Sequence, residues 1–292
     1  MRVSSNQILE AGVQSMDNSL ADAMAWQKKI STGKNYSKAS DNPYAVSRGV
    51  RLDFDVARLE MYKTNQNYVA STHAIAQSQM GTMIDELIVL KQAFVQSQNG
   101  VLNSTNFKAL KIQAEQIRDT IKSQMTAKDA TGNAIFPETV NNVQIEPNVT
   151  VKSGVQFIDA FNGGTLADPT QSAFYTKIND FVTYLDQRST GSALTNSAST
   201  IETGLNDIFD RITAAQQKSG GIAAQVDISK EAMSTIGTEM AASASALLDT
   251  DLAAATAAYT RSQTLLNAAQ AMFARLQQSS VFKTVVFGEI NV

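Results

Sequence analysis

The chain has no cysteine, one histidine, one tryptophan and four prolines in 292 residues, and only 17% of its residues are charged. Without Cys there are no disulfides, thiolate metal sites, iron–sulfur clusters or thiol nucleophiles. With His73 alone, every metal motif that needs a pair of histidines is excluded, and one candidate general base of that type remains. No apolar run approaches the roughly 18 residues of a membrane span, so no membrane insertion is expected. The opening residues, Met1 to Gln7, hold no apolar stretch of the kind a Sec signal needs, so none is expected there. A net charge of −3 gives no basic field for nucleic acid. These absences already disfavour most enzymes.

The prolines, Pro43, Pro137, Pro147 and Pro169, all precede residue 170, so no proline interrupts a helix in the rest of the chain. There, apolar and small residues alternate at steps of three and four from Ile201 through Leu205, Ile208, Ile212, Val226 and Ile236 to Leu247. That heptad stripe predicts one long helix, with Gly220-Gly221 as the place for a kink. A second stripe runs Leu252, Ala255, Tyr259, Ser262, Leu266, Ala269, Phe273, Leu276, after a cap at Asp249 or Thr250. The N-terminal half mirrors this: Leu9, Val13, Met16, Leu20, Ala23, Gln27 and Ile30 form a seam that stops at Ser31-Thr32-Gly33. Pro43 opens another helix, capped by Asp41 or Asn42, that carries Leu52, Val56, Leu59 and then Ala76, Met80, Met83, Leu87, Leu90 and Phe94. Asn99-Gly100 is a turn, and Leu110, Ala114, Ile117 and Ile121 make a shorter returning helix. From Val140 to Phe157 the alternation of apolar and polar residues predicts short strands, closed by Asn162-Gly163-Gly164. One more helix carries Phe174, Ile178, Phe181 and Leu185.

The expected fold is mainly α: an elongated helical rod with N- and C-terminal coiled-coil arms and a small β-containing insert domain. Its parts are 1–44 plus 249–292 as terminal assembly domain, 45–127 plus 189–248 as helical rod, and 128–188 as outer α+β insert. Chemistry is scarce in this pattern. Gly33-Lys34 lacks the earlier glycine of a phosphate-binding loop, and neither a dinucleotide nor a hydrolase motif occurs. Asp85 and Glu86 are helix neighbours that point about 100° apart and do not converge. His73 reads as a surface or seam residue, and Trp26 as a packing anchor or an interface residue. No catalytic residue, metal site or cofactor is expected.

Two stretches carry a resemblance. Met1-Arg2-Val3-Ser4, then Gln27 through Ser31, Thr32, Gly33 and Lys34, then Ser40, Asp41, Asn42 and Pro43 resemble the N-terminal region of the flagellin family. Asp249-Thr250-Asp251-Leu252-Ala253, Ala268-Ala269-Gln270 and Gln277 to Phe282 look like its C-terminal helix. Within the family, the opening residues and Asp41-Asn42-Pro43 are similar to the members that join hook to filament rather than to filament flagellin. The tail from Thr284 to Val292 departs from the family's ending.

The resemblance implies a structural subunit of the bacterial flagellum, extracellular, exported through the flagellar type III apparatus and self-assembling into a ring. Its implied partners are the first hook-associated protein, flagellin and an export chaperone, with no nucleic acid. The implied assembly interface is Leu9, Val13, Met16, Leu20, Trp26 and Ile30 on the first arm and Leu252, Tyr259, Leu266, Phe273 and Leu276 on the last. The chaperone would cover Leu252, Tyr259, Leu265, Leu266, Phe273 and Leu276. The two arms are expected to pair as an antiparallel coiled coil lining a channel, with the rod around it and the insert outermost. Filament flagellin is the alternative within the family. A cytoplasmic chemoreceptor-like signalling bundle is the alternative outside it, and it accounts poorly for the insert.

Overall fold

The computed structural model describes residues 2–36 and 38–278. Among the described residues the chain forms seven α-helices and one two-stranded antiparallel sheet, so the fold is mainly α. The helices are α1 (Arg2–Thr32), α2 (Pro43–Ser97), α3 (Ser104–Met125), α4 (Phe157–Phe161), α5 (Ala173–Thr190), α6 (Ala198–Leu248) and α7 (Leu252–Gln278). The strands are β1 (Asn142–Glu146) and β2 (Val149–Lys152). The expectations about the side chains of Leu9 and Leu276, and about the tail, lie outside the described residues.

Contacts divide the chain into two units, 1–57 with 238–292 and 58–237. The second unit holds a large apolar core and a smaller, separate cluster of Val69, Ile145, Val151 and Val226 under the hairpin. On α2 the large core takes Ala76, Met80, Met83, Leu87, Leu90 and Phe94, and on α3 Leu110, Ala114, Ile117 and Ile121, all buried. Ile201, Leu205, Ile208 and Ile212 supply it from α6. The expected insert feeds the same core, because Phe136, Phe157, Phe161, Phe174 and Phe181 belong to it. Phe161 sits edge-on to Phe136, Phe157 and Phe174, with ring centroids 5.1, 4.8 and 5.4 Å away, a geometry that sets ring edges on ring faces.

One local expectation is corrected. Val155 and Phe157 were expected in strands, but Phe157 opens the short helix α4, and only Asn142–Lys152 makes the hairpin. Burial decides this: Phe157, Ala160 and Phe161 are all buried, an i, i+3, i+4 set that one helical turn puts on one face and a strand would split between two. Helix α6 runs unbroken through Gly220-Gly221. Gly220 stands where the Gln77 side chain approaches from α2, and the flanking Ser219 and Val226 are buried. Packing on both sides of the pair holds what glycine propensity alone would loosen.

The hairpin is fastened to α2 by side chains that bind its backbone. Asn65 Nδ2 donates to Gln144 O at 2.8 Å and Gln66 Nε2 to Ile145 O at 2.9 Å. Thr72 Oγ1 donates to Ser153 O, and His73 Nε2 lies 3.0 Å from Lys152 O. The α2 seam is therefore continuous through Tyr62, Gln66, Val69 and His73, all buried. A carbonyl only accepts, so Nε2 carries the ring proton of neutral His73, and Nδ1 accepts from the Ser219 hydroxyl of α6 at 2.8 Å. Burial pushes the His73 pKa below its ordinary 6.5, with the Lys152 carbonyl bond pulling the other way.

Candidate assembly interface

The first unit is built on the two chain ends. Helices α1 and α7 pack together, and Gly12 of α1 adjoins Phe273 of α7, which fixes an antiparallel register. Residues with reduced exposure on α1 include Gly12, Met16, Ser19, Ala23, Trp26 and Ile30, with Lys29 beside them; on α7 they include Ala255, Tyr259, Ser262, Leu266, Ala269 and Phe273, with Ala258 beside them. Counted outward from Gly12 and Phe273, heptad spacing sets Met16 level with Ala269, Ser19 with Leu266, Ala23 with Ser262, Trp26 with Tyr259 and Ile30 with Ala255. Large residues oppose small ones in most layers, which allows a close approach at the cost of apolar area.

This corrects the α1 seam. Met16, Ala23 and Ile30 face α7 as expected, but Val13 and Leu20 are exposed and Gln27 is too. Gly12, Ser19 and Trp26 take their places. The apolar periodicity pointed to the larger residues, whereas the helix pair buries the smaller ones, so the true face is turned by one position at every second step. On α7 the expected seam is observed from Ala255 to Phe273, but Leu252, expected at its start, is exposed, as is Leu265. Trp26 is half-buried, with the Lys29 ammonium 4.7 Å from its ring centre.

The motif residues form the joint between these helices. Gly33 has φ +68°, the left-handed conformation that ends α1 at little cost for glycine. Thr32 Oγ1 donates back to Lys28 O at 2.8 Å, and Ser31 Oγ to the same carbonyl at 2.9 Å. Lys34 then pairs with Asp249 as an antiparallel bridge, Asn35 N donates to Leu248 O at 2.7 Å and Thr250 N to Gly33 O at 2.8 Å. Two segments that lie at opposite ends of the sequence thus meet through backbone hydrogen bonds. Asn42, not Asp41, caps α2 by accepting from Ala45 N at 3.0 Å, with Pro43 in the first turn. Asp41 instead accepts from Lys38 N at 3.0 Å, and Ser40 is exposed. Asp251, rather than Asp249 or Thr250, caps α7, accepting from Ala253 N and Ala254 N at 2.9 and 3.1 Å.

Elsewhere, the second unit has a cleft of about 630 Å³ beside His73, lined by Lys152, Asp159, Arg211 and Lys218. Lys152 Nζ lies 3.0 Å and Lys218 Nζ 3.9 Å from Asp159 Oδ2, and Arg211 Nη1 donates to the Asp159 backbone carbonyl at 3.3 Å. These contacts hold α4 against α6 and β2. Among the described residues no group of three His, Asp or Glu is placed to hold a metal ion, and no helix is long and apolar enough to cross a membrane.

A helical subunit whose two chain ends are paired through a shared joint is the class of protein this geometry defines. Residues 3–137 match the bacterial flagellin N-terminal helical region. Over 136 residues, 47% of this chain and 43% of the relative, the chain is 25% identical to flagellar hook-associated protein 3 of Salmonella typhimurium. The match therefore spans less than half the length of that curated relative. A flagellar hook-associated protein of Vibrio parahaemolyticus has the same fold, with a TM-score of 0.60 and 16% identity over 71% of this chain and 99% of its own. Hook-associated protein 3 of Legionella pneumophila superposes with a TM-score of 0.59 and 10% identity, over 67% of this chain and 98% of its own. The flagellin-family resemblance of the N-terminal region is borne out over residues 3–137, and the relatives found are named hook-associated protein 3.

Proposed function

We propose that the chain is a structural, non-catalytic subunit of the bacterial flagellum that forms the junction between hook and filament. It reaches the cell exterior through the flagellar type III apparatus and assembles as a ring through its paired terminal helices, with 1–44 and 249–292 as the assembly domain. The observation that carries this reading is the α1–α7 pair with its Lys34–Asp249 joint, because it explains why the motifs at the two ends occur together. The relatives named hook-associated protein 3 support the position at the junction, beside the first hook-associated protein on one side and flagellin on the other.

Before assembly an export chaperone would cover α7 at Leu252, Tyr259, Leu265, Leu266, Phe273 and Leu276, two of which, Leu252 and Leu265, are exposed in the single chain. Apolar surface left open on a monomer invites association, which a chaperone delays and assembly completes. Absent cysteine suits a chain that must pass unfolded through a narrow channel. The test is Leu266→Asp, which places a carboxylate in the α1–α7 seam, opposite Ser19. The 58–237 core should stay folded by circular dichroism while motility and incorporation into flagella are lost. Normal motility in this variant would refute the reading.

A further inference from the structure

Pairing of α1 with α7 leaves two apolar edges uncovered, and they lie on opposite sides of the pair. In the heptad set by the facing layers, Met16, Ala23 and Ile30 are a positions and Gly12, Ser19 and Trp26 are d positions, so Val13 and Leu20 fall at e. On α7, Tyr259, Leu266 and Phe273 are a positions, so Leu265 and Met272 fall at g. In an antiparallel pair e flanks e and g flanks g, so the Val13–Leu20 edge and the Leu265–Met272 edge face away from each other. All four are open to solvent, at 40% and 42% on α1 and 52% and 66% on α7. The register that sets Gly12 beside Phe273 also puts Val13 level with Met272 and Leu20 level with Leu265.

Charge follows the same division. Exposed Glu10 and Asp17 border the α1 edge, and exposed Arg261 and Arg275 border the α7 edge, where Asp22 and Lys29 of α1 offset each other, with Glu10 level with Arg275. Helix α7 contains no acidic residue between Leu252 and Gln278. A two-fold contact would set one edge against itself, acid facing acid or arginine facing arginine. A head-to-tail contact sets unlike edges together and repeats from copy to copy, closing as a ring or running on as a helix.

We propose that the Val13–Leu20 edge of α1 docks on the Leu265–Met272 edge of α7 in a second copy of this chain. Leu20 packs on Leu265, Val13 packs on Met272, and Glu10 lies beside Arg275. This contact rests on the assembly role above and names its lateral surface.

The chain's lack of cysteine makes the test direct. The Leu20→Cys/Leu265→Cys double variant replaces the native chain in its bacterium, and isolated flagella with their hooks are oxidised and run on a non-reducing gel. Within one chain the two thiols sit on opposite sides of the helix pair, beyond the roughly 7 Å Cα separation a disulfide tolerates. The expected result is a ladder of dimers, trimers and larger species that reductant collapses, with each single variant remaining monomeric. Subunit present in the flagella without a ladder, or dimers from a single variant, would overturn the contact while leaving the junction role intact. Subunit absent from flagella in the native strain as well would remove both. A second pair guards against a variant that fails to fold: Leu20→Lys or Leu265→Glu alone should cut incorporation by about tenfold, since each leaves a charge against an apolar partner, and the two together should restore it. Failure of the double variant to recover would also overturn the contact.

Discussion

His73 and Gln66 show how polar residues can belong to a helix seam. Both are fully buried on α2, at positions where the heptad expects an apolar side chain, and both bind carbonyls of the hairpin. The sequence leaves a gap between Leu59 and Ala76 for this reason: the period continues through Tyr62, Gln66, Val69 and His73, but Gln66 and His73 are polar and their carbonyl partners lie 79 positions away. His73 also predicts a pH dependence. Its folded pKa is depressed while the unfolded chain titrates near 6.5, so the unfolded state binds the proton first as pH falls. Stability present above that value should decline in the interval just below it, and level off once the folded ring protonates as well. Thermal melts of the full chain at about pH 7.5 and 5 should show the lower midpoint at the acidic value. His73→Gln, which removes the only imidazole in the chain, should shrink that difference. Equal midpoints in the parent would contradict the assignment of a buried neutral ring.

At the scale of elements, long helices with intact apolar stripes were legible. Helices α3, α5 and α6 stand where their periodicities put them, because large buried residues mark one face of each, and α7 does so with only Ala255 and Ser262 buried among its described residues. The α1 face was misread, since a seam of Gly12, Ser19 and Ala23 carries little hydrophobic signal and the larger Val13 and Leu20 flank it. The α7 cap was shifted by a residue or two for a similar reason, because Asp249, Thr250 and Asp251 are all competent and only the Lys34 pairing decides among them. The aromatic cluster gives a stability prediction for the segment between α3 and α5. Phe161→Ala should cost about 3–5 kcal/mol, as expected for deleting a fully buried ring, and shift denaturant unfolding of the 58–237 unit accordingly. A loss under about 1 kcal/mol would mean that the ring contacts contribute little there. Gly164 makes a narrower prediction. Its φ is +72° and an added Cβ would meet Ser172 N at 2.8 Å, so Gly164→Ala should destabilise the α4–α5 connection by more than about 1 kcal/mol, read by the same unfolding experiment.

For the whole molecule, the two units differ in how much apolar surface they bury. The 58–237 unit encloses a large aromatic and aliphatic core, whereas among the described residues the buried apolar side chains of the other unit are alanines, Ala23, Ala45 and Ala255. Buried methyl groups contribute little against the entropy of ordering two helices, so α1 and α7 should exchange amide hydrogens much faster than 58–237 in the isolated chain. Their protection should rise on incorporation into flagella, where the exposed leucine and methionine edges gain cover. The junction role itself is tested most directly by deleting the gene from its bacterium and imaging the cell surface by electron microscopy. Hooks without filaments, with filaments restored by the intact chain but not by Leu266→Asp, is the predicted result. Full-length filaments on hooks in the deletion strain would contradict it.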